Sequence, residues 1–182
     1  MASPPGGKAD YVLIGSPRGD TPYGDRYRPN FIFGGQGDDY AYGGSGQDTI
    51  YGASGNDRLH GYGGNDWLMG DEGSDNLNGG LGTDHLFGGA GNDFLEGEAG
   101  NDTLSGGAGS DTFYYFSLNE GHDVITDFNV KQDKILLDGF GFANVKAGSI
   151  QVGSDVLIRT SDEGSILLQH VKLNQLTDDM FI

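Results

Sequence analysis

A nine-residue unit repeats nine times without a gap from Gly34 to Tyr114, which is nearly half of the 182-residue chain. Each unit follows the pattern Gly-Gly-x-Gly-x-Asp-x-U-x, in which U is apolar. The first Gly, the fourth Gly and the sixth Asp never vary, whereas the second position also holds Ala53, Tyr62, Asp71 and Glu98. A strict short period predicts an elongated repeat array rather than an ordinary globular domain. The apolar residues at position eight are Ala41, Ile50, Leu59, Leu68, Leu77, Leu86, Leu95, Leu104 and Phe113.

Each unit divides into a six-residue turn, GGxGxD, and a three-residue strand, xUx. Glycine adopts positive φ at little cost and lets backbones approach closely, as stacked tight turns require. In the strand, U points inward and its neighbours point to solvent. Two units, or 18 residues, close one flattened coil, so unit n lies over unit n+2 in two parallel sheets set back to back. We therefore expect an all-β fold, a parallel β-roll.

Stacking of this kind places the sixth-position carboxylates in two columns. A column of like charges at close range does not close without a counterion. Calcium prefers a shell of six or more carboxylate and carbonyl oxygens, whereas magnesium demands shorter distances and dehydrates reluctantly. The columns are Asp39, Asp57, Asp75, Asp93 and Asp111 in the first, and Asp48, Asp66, Asp84 and Asp102 in the second.

Four stacked pairs in the first column and three in the second predict about seven calcium ions. The predicted metal-site residues are these aspartates together with the glycines at positions one and four of each unit. Those glycines are Gly34, Gly37, Gly43, Gly46, Gly52, Gly55, Gly61, Gly64, Gly70, Gly73, Gly79, Gly82, Gly88, Gly91, Gly97, Gly100, Gly106 and Gly109.

Charge is concentrated in the repeats. Gly34–Tyr114 holds 14 acidic residues against the single base Arg58, which is −13 of the chain's net −17. Such a surface disfavours nucleic acid and anionic membrane as partners and favours cations. One inward side chain per unit makes a thin core, so metal binding must supply much of the folding energy. We expect the calcium-free chain to be largely unfolded.

The unit resembles the repeats-in-toxin (RTX), or hemolysin-type calcium-binding, nonapeptide. The resemblance implies a right-handed parallel β-roll as the C-terminal module of a secreted bacterial protein. Similar modules belong to mannuronan C5-epimerases, serralysin-type proteases and secreted lipases. It also implies extracellular localisation, export by a type I secretion apparatus and an uncleaved C-terminal signal.

The segment Asn119–Leu137 resembles the closing region of this family. Gly121, Asp123 and Ile125 repeat positions four, six and eight, which raises the expected ion count to eight if a site forms between Asp102 and Asp123. The last residues of the sequence, Asp178-Asp179-Met180-Phe181-Ile182, fit either an export signal or a plain last strand. We divide the chain into a degenerate N-terminal cap at 1–33, the calcium roll at 34–114 and a C-terminal β cap at 115–182.

The flanks depart from the pattern. Gly15–Tyr23 keeps Gly15 and Asp20 but has Pro22 at the inward position, and Gly24–Phe33 carries one extra residue. Terminal repeats are atypical because they end an open sheet, so capping is expected here rather than metal binding, with Ile32 a further inward candidate. On the C-terminal side, the expected elements are a hairpin of Val156–Thr160 and Ser165–Leu168 around Asp162-Glu163-Gly164, strands Ile135–Leu137 and Ile150–Val152, and a helical turn at Leu173–Leu176.

Nothing in the sequence indicates catalysis. The chain lacks cysteine, and its four histidines, at positions 60, 85, 122 and 170, form no His-Glu-x-x-His pair. Neither a Gly-x-Ser-x-Gly elbow nor a phosphate-binding loop occurs. We expect a non-catalytic module whose parent protein can be an enzyme, and whose neighbour is the upstream domain of that parent.

One outward face is rich in aromatic residues, which stack on sugars or dock neighbouring domains. Three interpretations stay open: cover by residues 115–182, docking of a sister domain, or sugar binding. The alternative function is therefore a carbohydrate-binding module for an acidic polysaccharide, with Arg18, Arg26 and Arg28 as candidate contacts. The residues of this face are Thr49, Tyr51, Trp67, Met69, His85, Phe87, Thr103 and Ser105.

Overall fold

The computed structural model describes residues 11–15, 19–116, 121–137, 148–160 and 164–182. Arg18, Asp162, Glu163 and Asn119 lie outside this part of the chain. Within it, no helix is long and apolar enough to cross a bilayer. The strands are β1 (Tyr11–Ile14), β2 (Asn30–Gln36), β3 (Tyr40–Gly44), β4 (Thr49–Ser54), β5 (Arg58–Gly63), β6 (Trp67–Glu72), β7 (Asn76–Gly82), β8 (His85–Ala90), β9 (Phe94–Gly100), β10 (Thr103–Ala108), β11 (Thr112–Tyr115), β12 (His122–Ile125), β13 (Lys134–Leu137), β14 (Ile150–Val152), β15 (Asp155–Arg159) and β16 (Ser165–Leu168).

Two sheets contain all of these strands. One has the order β1-β2-β4-β6-β8-β10-β12-β16-β15-β14, and the other has the order β13-β11-β9-β7-β5-β3. Pairing in the repeats is parallel, and partners are 18 residues apart, as in Ile50 with Leu68 and Leu59 with Leu77. The even and odd strands of the repeats therefore alternate between the sheets, and the predicted β-roll is confirmed.

The strands are longer than the predicted three residues. β4, for example, covers Thr49–Ser54 and so includes the first three residues of the following unit. Pairing skips position one and resumes at positions two and three, where Ala53 and Ser54 lie opposite Gly35 and Gln36. Each unit is thus a six-residue strand and a short turn at positions four to six.

Position eight forms the core. All nine of its side chains are fully buried, from Ala41 to Phe113. The same interior row continues into the flanks with Ile32, Ile125 and Ile135, which are also fully buried. A buried Leu or Ile contributes about 1.5 to 3 kcal/mol, and each unit has only one such residue.

The predicted C-terminal elements are present. β15 and β16 form the antiparallel hairpin, β14 pairs with β15, and Leu173–Gln175 is a 3-10 turn. β13 pairs in parallel with β11 and so continues the six-stranded sheet of the roll.

Of the three interpretations of the aromatic face, cover by residues 115–182 is not supported by the described C-terminal strands. β16 pairs in parallel with β12 at the end of the ten-stranded sheet, so β14 to β16 continue this sheet instead of lying across it. Exposed backbone edges at the end of a roll need a partner strand, and the hairpin provides one. Trp67 and the other outward residues of this face remain partly exposed.

The last residues of the chain pack against the end of the roll. Phe181 bridges to Ile135 in parallel, and Met180 and Phe181 are buried. Lys134 reaches the side chain of Asp179 across 3.9 Å. Instead of the plain last strand considered for Met180–Ile182, the structure has a 3-10 turn at Asp178–Met180 followed by a single bridge at Phe181.

Candidate metal centre

The sixth-position aspartates lie where the repeat places them, in two buried columns. All nine are at most 2% exposed. Within each column, the backbone N–H of one Asp donates to Oδ1 of the Asp one coil further on. In the second column, Asp48 N donates to Asp66 Oδ1, and Asp66 N to Asp84 Oδ1, both at 2.7 Å. In the first column, Asp57 N donates to Asp75 Oδ1 at 2.7 Å.

The second carboxylate oxygen, Oδ2, lacks a hydrogen-bond donor in every one of these nine residues. A buried oxygen without a partner is strongly destabilising, and a buried charge more so. Nine such atoms in phase with the repeat fit a set of cationic partners. The orphaned atoms are Oδ2 of Asp39, Asp48, Asp57, Asp66, Asp75, Asp84, Asp93, Asp102 and Asp111.

Glycine at position one makes room for this oxygen. A Cβ placed on Gly43 would lie 2.3 Å from Asp48 Oδ2 and 2.9 Å from Gly61 O of the next coil. Two acceptor oxygens therefore approach the same point. Any side chain at position one would occupy the space beside the orphaned carboxylate.

Glycine at position four has a different role. A Cβ on Gly82 would lie 1.5 Å from Gly64 O, and one on Gly64 would lie 2.0 Å from Gly46 O. These glycines also have φ of +137° and +128°. Close stacking of successive turns thus requires glycine here, while a ligand role for position four stays a prediction.

Most of the column aspartates carry raised pKa values. Burial is the main cause, and it raises the pKa of Asp66 to about 8 and that of Asp75 to about 7. The hydrogen bond that Oδ1 accepts from a backbone N–H lowers the pKa of both Asp66 and Asp75. The negative charges of neighbouring aspartates in the column raise the pKa of both residues. The pKa is about 6 for Asp48, Asp57, Asp84 and Asp93. A cation would reverse these shifts, because it favours the charged form.

The donor set fits calcium. In the described part of the chain, no three carboxylate or imidazole side chains converge on one point. A cation between coils would therefore be held by aspartate oxygens combined with backbone carbonyls. Hard oxygen ligands of this mixed kind are those that calcium takes in proteins.

The column ends differ from the interior. Asp123 is 3% exposed, and its Oδ1 accepts from Asp102 N at 2.9 Å, so it continues the second column as predicted. Asp133 continues the first column, because its Oδ1 accepts from Asp111 N at 3.1 Å. Sequence reasoning missed Asp133, although the spacing from Asp133 to the inward Ile135 repeats the Asp-x-U signal of positions six to eight.

Position five forms a second polar ladder that the repeat pattern did not reveal. Asn56 N donates to Asp38 Oδ1 at 2.7 Å, Ser74 N to Asn56 Oδ1 at 2.8 Å, and Ser110 N to Asn92 Oδ1 at 2.8 Å. The ladder uses side-chain oxygens of Asp, Asn and Ser, which vary along the sequence. The recurring signal is thus a polar side-chain oxygen rather than one residue type.

The family model of the RTX calcium-binding nonapeptide repeat matches four copies, at residues 28–59, 51–86, 60–95 and 78–113. Residues 28–113 are RTX calcium-binding repeats. The RTX module begins before Gly34 in this match, since the first copy includes part of the ten-residue unit Gly24–Phe33. Calcium is accordingly the metal of these repeats, and its binding by the two carboxylate columns stays a prediction.

Several solved structures are similar to the chain. The extracellular lipase LipA from Serratia marcescens has 18% identity and a TM-score of 0.42. The match covers 97% of this chain and 40% of the lipase. The AlgE6R3 subunit of the Azotobacter vinelandii mannuronan C5-epimerase has 25% identity and a TM-score of 0.36, covering 100% of this chain and 86% of the subunit. The AlgE6R2 subunit of the same epimerase has 24% identity and a TM-score of 0.48. The match covers 75% of this chain and 88% of the subunit. The chain thus spans about two fifths of the length of the lipase. No curated protein sequence matches the chain.

Proposed function

We propose that this chain is a module that calcium folds, and that it supports export and stability of a protein to which it is attached. The observation that carries the proposal is the set of nine buried carboxylate oxygens without a hydrogen-bond donor. Two columns of such atoms oppose folding of the metal-free chain. Calcium converts the same atoms into ligands, so binding and folding are coupled.

The ions would lie between successive coils, held by position-six carboxylates and turn carbonyls. Stacked pairs give four sites in the first column and three in the second. An eighth site would use Asp102 with Asp123. Seven divalent ions add +14 to the −13 of Gly34–Tyr114, which nearly neutralises the roll.

Replacing a single column carboxylate tests whether the position-six aspartates bind calcium. Asp66→Asn removes the charge of the most strongly perturbed aspartate, whose burial raises its pKa to about 8. We expect this variant to bind fewer ions and to need several-fold more calcium at the folding midpoint. The measurement is calcium titration by calorimetry together with circular dichroism.

Glu72→Gln is the matched control, because it removes one negative charge from an exposed residue at position three. Its ion count should equal that of the wild type. If Asp66→Asn and Glu72→Gln shift the calcium midpoint equally, overall charge governs binding and the column assignment is wrong.

Export follows from the family resemblance and from the calcium dependence. Where calcium is scarce, as in the cytosol, an acidic unfolded chain can pass through a narrow channel, and millimolar calcium outside then folds it. The module would be non-catalytic and extracellular. A pulse-chase export assay with a type I apparatus tests this, since prefolding the chain with calcium should block its passage.

A second candidate function, binding of an acidic polysaccharide, is favoured by a groove on the six-stranded sheet. The groove has a volume of about 520 Å³ and includes Tyr23, Tyr42, Tyr62, Arg26 and Leu81. The rings of Tyr23 and Tyr42 stack at 4.8 Å, and those of Tyr42 and Tyr62 at 6.1 Å. Exposed aromatic rings beside a cation suit a sugar that carries a carboxylate.

Short uronate oligomers titrated into the calcium-loaded chain test this candidate. Chemical-shift changes should centre on Arg26 and the tyrosines, and Tyr62→Ala should abolish them. Tyr51→Ala, on the outward face of the other sheet, is the control and should leave binding intact. Shifts at Trp67 instead would move the site to the aromatic face, and the absence of shifts would leave only the calcium function.

A further inference from the structure

The ten-residue unit Gly24–Phe33 ends its turn with Asn30 where the nine regular units have Asp. A Cβ placed on Gly24 would lie 2.6 Å from Asn30 Nδ2 and 2.6 Å from Gly43 O. In the regular unit that follows, a Cβ on Gly34 would lie 2.5 Å from Asp39 Oδ2 and 2.8 Å from Gly52 O. The amide nitrogen of Asn30 therefore sits in the place of the orphaned carboxylate oxygen.

This nitrogen is surrounded by acceptors. Asn30 Nδ2 donates to Asp25 O at 3.0 Å, to Arg28 O at 2.8 Å and to Asp48 Oδ1 at 2.8 Å. Asn30 Oδ1 in turn accepts from Asp25 N at 2.7 Å. Three acceptors on one side and an N–H donor on the other fix the orientation of the amide.

Two backbone carbonyls and a carboxylate around one point are oxygen ligands of the kind that calcium takes. Here the group that these oxygens surround is the side-chain NH₂ of Asn30, which donates hydrogen bonds to them. Asn30 is 2% exposed, so water does not replace it. The extra residue of the unit lengthens the turn, and both carbonyl acceptors belong to this lengthened segment.

We propose that, at the N-terminal end of the second carboxylate column, hydrogen bonds from the side-chain amide of Asn30 replace the contacts that a column aspartate makes to calcium. The inference rests on the proposed calcium function. This end of the column closes without metal, and the ions begin only at the regular units. A unit that lacks the repeated aspartate can therefore still continue the roll.

The opposite end of the other column has a related arrangement. Asp133 Oδ2 accepts from Asn129 N at 2.7 Å, and its Oδ1 accepts from Asp111 N at 3.1 Å. Backbone N–H groups of the protein thus satisfy both oxygens of this terminal carboxylate. Protein donors replace metal at both of these column ends.

Asn30→Asp tests the proposal, because it restores a carboxylate among the same carbonyls. We expect this variant to bind one calcium ion more than the wild type, counted by native mass spectrometry at saturating calcium. Asn65→Asp is the control, since it adds the same charge at an exposed position-five residue whose oxygen accepts from Thr83 N at 2.9 Å. Its ion count should stay at the wild-type value. A folded Asn30→Asp chain with the wild-type count would overturn the proposal.

A measurement on the wild type covers the case in which Asn30→Asp does not fold. In the calcium-loaded protein, the side-chain NH₂ protons of Asn30 should exchange slowly with water in NMR spectra. Fast exchange would mean that the amide does not make these bonds, and the proposal would fail. A wild type that binds no calcium at all would refute the proposed function itself, so the two failures are distinguishable.

Discussion

At the scale of single residues, the two invariant glycines of each unit satisfy different requirements. Position one leaves space beside an orphaned carboxylate oxygen, whereas position four lets one turn lie directly on the carbonyl of the turn beneath. Position two is different again, since it has positive φ even where it is not glycine. The non-glycine examples are Ala53 at 84°, Tyr62 at 74°, Asp71 at 73° and Glu98 at 64°.

The neighbouring Gly63 and Gly64 distinguish the requirements of position four, which are close packing and the φ of +128° at Gly64, from the general effect of replacing a glycine. A Cβ on Gly64 would lie 2.0 Å from Gly46 O, whereas the nearest atom to a Cβ on Gly63 is 3.9 Å away. We expect Gly64→Ala to destabilise the calcium-loaded fold by more than about 2 kcal/mol, since backbone would have to move. Gly63→Ala should change stability by less than about 1 kcal/mol. Urea denaturation at fixed free calcium measures both, and equal losses would contradict this account of position four.

At the scale of the elements, the carboxylate columns make the roll sensitive to pH. The metal-free fold raises the pKa of Asp66 from 3.8 to about 8 and that of Asp75 to about 7. The folded state therefore binds more protons than the unfolded state between these values. Protonated column carboxyls stabilise the metal-free roll fully below about pH 4, and this contribution is lost as the pH rises through about 8.

We accordingly expect acid to substitute in part for calcium. Metal-stripped protein should show more β-structure in circular dichroism at about pH 5 than at about pH 9. Calcium affinity should change in the opposite sense and rise with pH, because the ligands must lose their protons. A metal-free β signal that grows with rising pH would mean that the columns do not control folding.

The strands and carboxylate columns also show which features of the fold could be predicted from the sequence. Period and residue type were enough for the parallel coils, the inward row at position eight and the two columns, because each depends on a contact repeated every 18 residues. Strand length was underestimated, since backbone pairing at positions two and three uses no particular side chain. Asp133 and Asn30 were missed because the chain around them departs from the nine-residue spacing, and only the three-dimensional stacking restores their register.

At the scale of the whole molecule, the roll is a one-dimensional stack in which each coil contacts its neighbours. Its core has one inward side chain per unit, and Gly34–Tyr114 carries −13 of the chain's net charge of −17. Burial alone therefore cannot hold the coils together against two columns of carboxylates. The ends are closed by other means, with β14 to β16 at the end of one sheet and Phe181 paired to Ile135 at the other.

Calcium titration of the stripped chain at neutral pH, followed by far-UV circular dichroism, shows whether calcium drives the fold. We expect a spectrum of unfolded chain in chelator, and a cooperative gain of β-structure as calcium rises toward millimolar concentration. Magnesium at the same concentration should produce much less change. A full β spectrum with a cooperative thermal transition in chelator would contradict the claim that calcium drives the fold.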